Sequence, residues 1–288
     1  MLQVERERAG SASATAGSAL PGPLRVAIAG YGAIGAKLAD ALDKGVPGCE
    51  LVAIASRDPA KVAAQTAHLR RKVTITDIDS LEPLADIVVE CAPAKLLPQI
   101  VSPFLRAGKK AIVLSIGALL SHDELAELAR QHGGKIIAPS GALLGLDAVS
   151  AAAEGTIHSV KMLTRKPPRG LLGAPYLVEN KIDIEHITEP MRVFSGTARA
   201  AAIGFPANLN VVAALSLAGI GADRTTIEVW ADPGIQRNTH HIEVDADSAS
   251  FSMTIANIPS ENPKTGRITA LSVISCLRRL GAPMVVGG

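Results

Sequence analysis

Three glycines with the spacing Gly-x-Gly-x-x-Gly, at Gly30, Gly32 and Gly35, carry the clearest chemical signal in the sequence. They follow a short β-branched apolar run and precede a helix-like segment, which is the order found in dinucleotide-binding units. The first glycine permits a tight turn, the second lets the backbone approach a pyrophosphate, and the third allows close packing of helix and strand. Free amides at the start of the helix bind the phosphates. We therefore predict that Gly30, Gly32, Ala33, Ile34 and Gly35 bind a dinucleotide.

The choice of dinucleotide depends on the end of the second predicted strand, residues 51–55. In NAD-binding units an acidic side chain about 20 residues beyond the glycines binds the ribose hydroxyls. Here the first polar residues are Ser56 and Arg57, and the acidic Asp58 comes one position later. Arg57 could pair with a 2′-phosphate, stack on the adenine, or be an ordinary solvated loop residue. We expect Ser56 and Arg57 at the cofactor, and the use of both NAD and NADP.

Two adjacent histidines offer acid–base chemistry in the second half of the chain. His240 and His241 follow a turn-rich loop and begin a strand-like segment, along which side chains alternate between faces. His240 therefore shares a face with Ile242 and Val244, and His241 belongs to the polar face. A histidine on an apolar face is often a hydrogen-bonded core residue, whereas its place directly after a polar loop favours a general acid or base. We predict that His240 is catalytic and that His241 lies at the surface.

Two asparagines, Asn208 and Asn210, stand at the start of an apolar segment that predicts a buried helix over residues 206–217. Their side chains could cap that helix, since asparagine is a favoured N-cap residue. Alternatively, one of the two amides contacts the nicotinamide or the substrate. The sequence leaves both possibilities open.

The elements that must position these side chains follow two different patterns. From residue 24 to about 138, short apolar runs alternate with helical segments, which predicts right-handed β-α-β units and a doubly wound parallel sheet. Ser121 and Glu124 have the spacing of a capping box and predict a helix start. The predicted strands are 25–29, 51–55, 73–75, 86–90, 111–114 and 135–138, and the helices between them include 61–69, 95–106 and 122–131.

After residue 139 the pattern predicts a second domain of the α+β class, whose sheet need not be parallel. Its strands are expected at 156–165, 225–231, 240–245 and 250–257, and an apolar helix at 266–280 ends the chain. Periodicity does not indicate which domain that last helix contacts. We divide the chain into a flexible leader (1–23), a dinucleotide-binding Rossmann domain (24–139), a substrate, catalytic and dimerisation domain (140–263) and a C-terminal helical segment (264–288).

Composition limits the classes of protein that need to be considered. The 288 residues are 48% hydrophobic but only 2% aromatic, which suits a parallel sheet filled by aliphatic side chains. A net charge of +2 gives no electrostatic case for binding nucleic acid or membrane surfaces. Three widely spaced cysteines suggest neither a disulfide framework nor a metal site. No apolar run reaches the roughly 18–20 residues of a membrane helix. We expect a soluble cytoplasmic protein.

The motifs taken together resemble the L-aspartate dehydrogenase family over most of residues 24–280. The glycine motif occurs in many dehydrogenases, so the specific part of the resemblance lies in segments 115–119, 139–142, 164–168, 205–211, 238–240 and 262–266. The resemblance implies a homodimer, with a second domain like that of dihydrodipicolinate reductase and a last helix that folds back toward the Rossmann domain. The implied reaction converts L-aspartate, NAD(P)+ and water into oxaloacetate, ammonia and NAD(P)H through iminoaspartate, and it feeds NAD synthesis in some organisms.

The resemblance also implies roles for individual residues. His240 is the catalytic residue by motif match, and Ala118 together with Asn208 or Asn210 contacts the cofactor, with Asn210 the better match. A dicarboxylate substrate needs fixed cations, for which bidentate arginine is well suited. The candidate substrate-binding cations are Arg165, Lys166 and Lys264, each of which could instead be an ordinary solvated side chain.

Two alternatives remain. One is a dihydrodipicolinate-reductase-like oxidoreductase that uses the same cofactor site on another substrate. The other is a non-catalytic NAD(P)-binding sensor, which would need neither His240 in a cleft nor a group of cations for a dicarboxylate.

Overall fold

The computed structural model describes residues 22–206, 209–260 and 266–287. Its first half contains one wholly parallel sheet of six strands, as the alternating pattern predicted. The strands are β1 (Leu24–Ala29), β2 (Cys49–Ala55), β3 (Thr74–Thr76), β4 (Ile87–Glu90), β5 (Lys110–Val113) and β6 (Lys135–Ile137). Their order, β3-β2-β1-β4-β5-β6, is that of a doubly wound dinucleotide-binding fold.

Helices cover both faces of this parallel sheet. They are α1 (Ala33–Gly45), α2 (Pro59–Gln65), α3 (Leu97–Arg106), α4 (Ile116–Leu119) and α5 (Asp123–His132). Val26 and Ile28 of β1 pack on the side of α1, whereas Ala27 and Ala29 pack on the side of α3 and α5. Because both faces are covered, β1 is a continuous apolar run rather than an alternating one.

The second half of the chain contains a mixed sheet of five strands. They are β7 (Ile157–Lys166), β8 (Met191–Thr197), β9 (Thr226–Ala231), β10 (Asn238–Ala246) and β11 (Ser250–Asn257), in the order β11-β10-β7-β9-β8. Only β7 and β9 run parallel; the other neighbours are antiparallel. The helices of this half are α6 (Leu146–Ala153), α7 (Pro175–Glu179), α8 (Ala198–Gly204) and α9 (Asn210–Ala218).

The mixed sheet packs one face against these helices and leaves the other more accessible. Along β10, buried residues alternate with exposed or half-exposed ones. Ile242 and Val244 join the core formed with α6, α8 and α9, whereas Glu243 and Asp245 are exposed. An antiparallel sheet with one covered face is expected to alternate in this way.

The last helix, α10 (Ile268–Leu280), packs against α1 of the first half. Val273, Cys276 and Leu277 share an apolar cluster with Leu38 and Leu42 of α1. The chain therefore returns to the parallel sheet after completing the mixed one. The domain boundaries at residues 139 and 263 stay predictions, and residues 1–21 of the predicted leader lie outside the described part. No described helix combines the length and apolarity that crossing a membrane requires.

Some predicted helix starts are wrong in detail. Helix α5 begins at Asp123 with His122 at its N-cap, and no side chain caps it there, so the predicted capping box does not form. The Glu124 carboxylate instead contacts the ring nitrogen Nδ1 of His122 at 2.6 Å. The helix predicted at 206–217 starts only at Asn210. Strand β8 was missed, because its sequence, MRVFSGT, lacks a clear apolar alternation.

Candidate active site

The glycine turn between β1 and α1 shows why glycine is required at two of its positions. Gly30 has a φ of +104°, and a Cβ there would lie 2.6 Å from the carbonyl oxygen of Cys91. A Cβ on Gly35 would collide with the carbonyl oxygen of Gly30. Gly32 differs, because it is the N-cap of α1 and a Cβ there would meet nothing within 4 Å. The turn is therefore tight on its protein side and open in front of the helix N-terminus, where a phosphate can approach.

A cleft of about 680 Å³ lies beside this turn, at the carboxyl ends of the parallel strands. Four of the predicted cofactor residues line it: Gly30, Gly32, Ser56 and Arg57. Ala33, Ile34 and Gly35 form the first turn of α1 and are not among the lining residues. An open helix N-terminus beside a cleft at the strand ends fits a dinucleotide, which binds doubly wound sheets at this place.

The residues after β2 show how Asp58, one of three aspartates that line the cleft, is used. Asp58 caps α2, since its carboxylate accepts a hydrogen bond from the Lys61 backbone amide at 3.0 Å. The Ser56 hydroxyl accepts a hydrogen bond from the Asp58 amide at 3.1 Å. Arg57 and Lys61 both line the cleft, and neither forms an ion pair with a residue that the structure describes. Lys61 was not singled out from the sequence, although it begins the helix predicted at 61–69 and lies on the first turn of α2.

A fully buried carboxylate, Glu90, joins two loops on the cofactor side of the sheet. It accepts hydrogen bonds from the backbone amides of Ala92 (3.1 Å), Leu114 (3.1 Å) and Ser115 (2.8 Å), and from the Ser115 hydroxyl at 3.0 Å. Burial raises the pKa of Glu90, and the hydrogen bonds from Ser115, Leu114 and Ala92 oppose that rise. Sequence reasoning missed this residue, although an acidic residue closing an apolar strand is an unusual feature.

Asn210 connects the two halves of the protein. Its Oδ1 accepts a hydrogen bond from the Gly117 backbone amide, at 2.9 Å, in the first turn of α4. The residue therefore satisfies a free amide of another helix instead of capping its own. Ala118 follows Gly117 and lines a cavity of about 250 Å³ between α4 and α8. The structure thus brings Ala118 and Asn210 to the same place, whereas Asn208 lies outside the described residues.

His240 lies where the alternation placed it, on the helix-covered face of the mixed sheet, and only 2% of it is exposed. Its Nδ1 is 3.1 Å from the hydroxyl of Thr164 on the neighbouring strand β7. Lys166, two residues further along β7, is equally buried on the same face. Nothing among the described residues forms a hydrogen bond with Nε2 of His240. His241 lies on the other face, where it contacts Thr254 and Glu243.

The electrostatics of this buried group keep the imidazole neutral. Burial, helped by the positive charge of Lys166, lowers the pKa of His240 to about 3. Burial also lowers the pKa of Lys166 to about 8. At neutral pH the group therefore combines an uncharged imidazole with a lysine that is mostly protonated, which suits a proton acceptor beside an anion-binding cation.

Arg165, by contrast, lies on the more accessible face of the mixed sheet. Its guanidinium forms an ion pair with Asp232 at 3.2 Å and stacks 5.0 Å from the ring centroid of Trp230. Arg165 and Lys166 therefore cannot line one site together with His240, because neighbouring residues of a strand point to opposite faces. Their roles as substrate-binding cations stay predictions. Lys264 lies outside the described residues.

A glycine-turn cleft on a doubly wound sheet, followed by a mixed sheet with a buried histidine, defines a two-domain NAD(P)-dependent dehydrogenase. Two family models match the chain: the NAD-binding domain of homoserine dehydrogenase over residues 30–139, and the C-terminal domain of aspartate dehydrogenase over residues 147–280. An L-aspartate dehydrogenase of Bradyrhizobium diazoefficiens is 61% identical over 264 residues, which cover 92% of this chain and 94% of that protein. L-aspartate dehydrogenase 3 of Bordetella bronchiseptica is 61% identical, covering 92% of this chain and 97% of that protein. The chain belongs to the L-aspartate dehydrogenase family.

Solved structures agree on the fold. Aspartate dehydrogenase from Thermotoga maritima superposes with a TM-score of 0.71 at 23% identity, covering 92% of this chain and 99% of that one. A scyllo-inositol dehydrogenase from Lactobacillus casei, solved with NAD(H) and scyllo-inositol, has a TM-score of 0.53 at 15% identity and covers 89% of this chain and 87% of that one. The two-domain arrangement is therefore shared by dehydrogenases that act on different substrates.

Proposed function

We propose that this protein catalyses the NAD(P)-dependent oxidative deamination of L-aspartate, and its reverse. L-aspartate, NAD(P)+ and water yield oxaloacetate, ammonium, NAD(P)H and a proton. The observation that carries the proposal is the 61% identity, across both domains, with proteins named L-aspartate dehydrogenase. The buried group of His240, Thr164 and Lys166 supplies the side chains that such chemistry needs.

In this proposal His240 is the general base for hydrolysis of iminoaspartate. A nicotinamide dinucleotide held at the glycine turn and the start of α1 would supply the hydride acceptor that converts the amine of aspartate to an imine. The Thr164 hydroxyl holds Nδ1 of His240, which leaves Nε2 to take a proton from the water that attacks the imine carbon. In the reverse direction the same nitrogen returns that proton as ammonia replaces the carbonyl oxygen.

Lys166 binds a substrate carboxylate in this proposal and also tunes His240. Its ammonium lies on the same buried face and lowers the pKa of the imidazole. A substrate carboxylate placed against that ammonium cancels part of the positive charge, and so raises the pKa of His240 toward its ordinary value. His240 then becomes a better base when the dicarboxylate is bound.

We propose that both NAD and NADP are used, with Arg57 and Lys61 binding the 2′-phosphate. Two exposed cations line the cleft, and each of its three lining carboxylates already accepts a hydrogen bond: Asp58 from the Lys61 amide, Asp77 from the Ser80 amide and Asp79 from the Gln99 side chain. Replacing both Arg57 and Lys61 by alanine is expected to raise the KM for NADPH about tenfold and to leave that for NADH within about twofold. Equal changes for both coenzymes would contradict this assignment.

A homodimer in the cytoplasm completes the proposal. The more accessible face of the mixed sheet carries the half-exposed side chains of Leu163 and Trp230 and a shallow cavity of about 400 Å³ with both charge signs on its rim. Cys49, Cys91 and Cys276 are all free thiols, which suits a reducing compartment. Light scattering of the purified protein tests the dimer, and a monomer at micromolar concentration would contradict it.

A spectrophotometric assay tests the activity. Oxidation of NADH or NADPH is followed with oxaloacetate plus ammonium, with dihydrodipicolinate plus no ammonium, and with neither. Turnover only in the first mixture, lowered at least about a hundredfold by His240→Ala, is the expected result. Turnover with dihydrodipicolinate alone would favour the reductase alternative, and NADPH binding by fluorescence without turnover would favour the sensor. Near wild-type turnover by a folded His240→Ala protein would remove the role given to His240.

A further inference from the structure

One polar side chain next to the buried group has no role so far. Asn238, the first residue of β10, is only 4% exposed. It lies two residues before His240, so both side chains lie on the same face of the strand. Its carboxamide forms no hydrogen bond with any residue that the structure describes.

The cross-strand neighbour of Asn238 shows what an ordinary structural asparagine does in the same environment. Asn257 of β11 is paired with Asn238 and is equally buried. Its Nδ2 donates a hydrogen bond to the carbonyl oxygen of Ala142 at 2.8 Å, which ties the loop before α6 to the sheet. Unlike Asn257, Asn238 is held by no described side-chain hydrogen bond, so its amide is available to a bound molecule.

The strand register places Asn238 next to the proposed carboxylate-binding cation. Thr239 lies opposite Arg165 and His240 opposite Thr164, so the same register brings Asn238 level with Lys166. Two strand residues span about 6.6 Å, which separates Asn238 from His240 along the sheet. A substrate whose α-carbon is near His240 therefore meets Asn238 at its other end.

We propose that Asn238 is a specificity-determining residue, whose Nδ2 donates a hydrogen bond to the β-carboxylate of the four-carbon substrate. The proposal rests on the proposed function, since it assumes that the substrate is aspartate or oxaloacetate. A neutral amide suits this place, because an aspartate would repel the carboxylate and a second cation would compete with Lys166. The residue should therefore separate oxaloacetate from pyruvate, which lacks the β-carboxylate.

The test compares reductive amination of oxaloacetate and pyruvate by Asn238→Ala. The kcat/KM for oxaloacetate should fall about tenfold or more, mainly through KM, while that for pyruvate changes less than about twofold. Thr239→Ala, one residue along and on the opposite face, is the matched control and should keep the wild-type ratio. Asn238→Asp, which has the same shape, should lower the oxaloacetate preference further.

A binding measurement separates this inference from the proposed function. Calorimetric titration of succinate into the NADP+-saturated protein should give a dissociation constant about tenfold higher for Asn238→Ala than for wild type. An unchanged keto-acid ratio, or an equal loss for both keto acids, would overturn the role of Asn238. If the wild-type protein binds succinate through Asn238 but has no activity on oxaloacetate, the proposed function is overturned and the role of Asn238 in binding remains. Thermal unfolding establishes whether both variants are folded. If Asn238→Ala does not fold, the keto-acid ratio of Asn238→Asp decides the test.

Discussion

The acid stability of the protein should depend on His240, and His240→Asn tests this directly. In the folded protein burial holds the pKa of the imidazole at about 3, whereas in the unfolded chain it has its ordinary value of about 6.5. Below pH 6.5 the unfolded chain therefore binds a proton at this residue that the folded protein does not bind. The free energy of unfolding falls as the pH drops from about 6.5 toward 3, because protons stabilise the state that binds more of them.

The size of the effect follows from the distance between these two pKa values. Each pH unit below 6.5 costs about 1.4 kcal/mol, so His240 alone should remove about 2 kcal/mol of stability between pH 7 and pH 5. Lys166 does not contribute between pH 7 and pH 5, because its effect on stability changes only between pH 10.5, its ordinary pKa, and about 8, its lowered pKa. Glu90, whose pKa burial raises, is present in both proteins and cancels in the comparison.

Urea unfolding of wild type and His240→Asn at pH 7 and pH 5 measures the difference. Asparagine does not titrate and keeps an amide near the Thr164 hydroxyl, so the variant should lose about 2 kcal/mol less than wild type on acidification. His241→Asn is the matched control on the other face, where solvent reaches the imidazole, and it should follow wild type. If wild type and His240→Asn lose the same free energy within about 0.5 kcal/mol, the buried neutral imidazole is refuted.

Three further predictions concern the turn, the core and the joint between the two halves. Gly35→Ala should lose NADPH binding and thermal stability, because its methyl group collides with Gly30. Gly32→Ala should change the free energy of unfolding by less than about 1 kcal/mol but should still weaken NADPH binding, measured by fluorescence. The rings of Phe205, Tyr176 and Phe194 pack against one another. Phe205→Ala should therefore lower the free energy of unfolding by about 3–5 kcal/mol in urea, and a loss below about 1 kcal/mol would contradict this packing. Asn210→Ala leaves the Gly117 amide without its partner and should cost about 1–3 kcal/mol, with unchanged stability as the contrary result.

The architecture of the first half could be predicted because local signals agree there. Apolar runs, helical segments and the glycine turn all favour one doubly wound sheet, and strand ends differ from the predicted ones by only one or two residues. Helix starts were predicted less accurately. Ser121 has the right spacing for an N-cap, but His122 is the N-cap residue of α5. Capping depends on backbone geometry that a spacing rule does not contain.

The candidate site was predictable only as far as alternation along strands reaches. Side chains alternate between the two faces of a strand, which places His240 on the helix-covered face of β10. The same alternation along β7 places Lys166 and Arg165 on opposite faces. Thr164, Lys61 and Glu90 could not be found in this way. Their roles depend on contacts between strands and loops far apart in sequence, such as Glu90 with Ser115 or Thr164 with His240.

The packing of α10 against α1 has a consequence for how the protein matures during synthesis. Val273, Cys276 and Leu277 leave the ribosome long after α1, yet they cover the apolar flank formed by Leu38 and Leu42. A nascent chain therefore carries a parallel sheet whose α1 flank stays uncovered until α10 has been made. Premature termination anywhere before residue 273 would leave this apolar flank exposed to solvent, and exposed apolar patches favour aggregation.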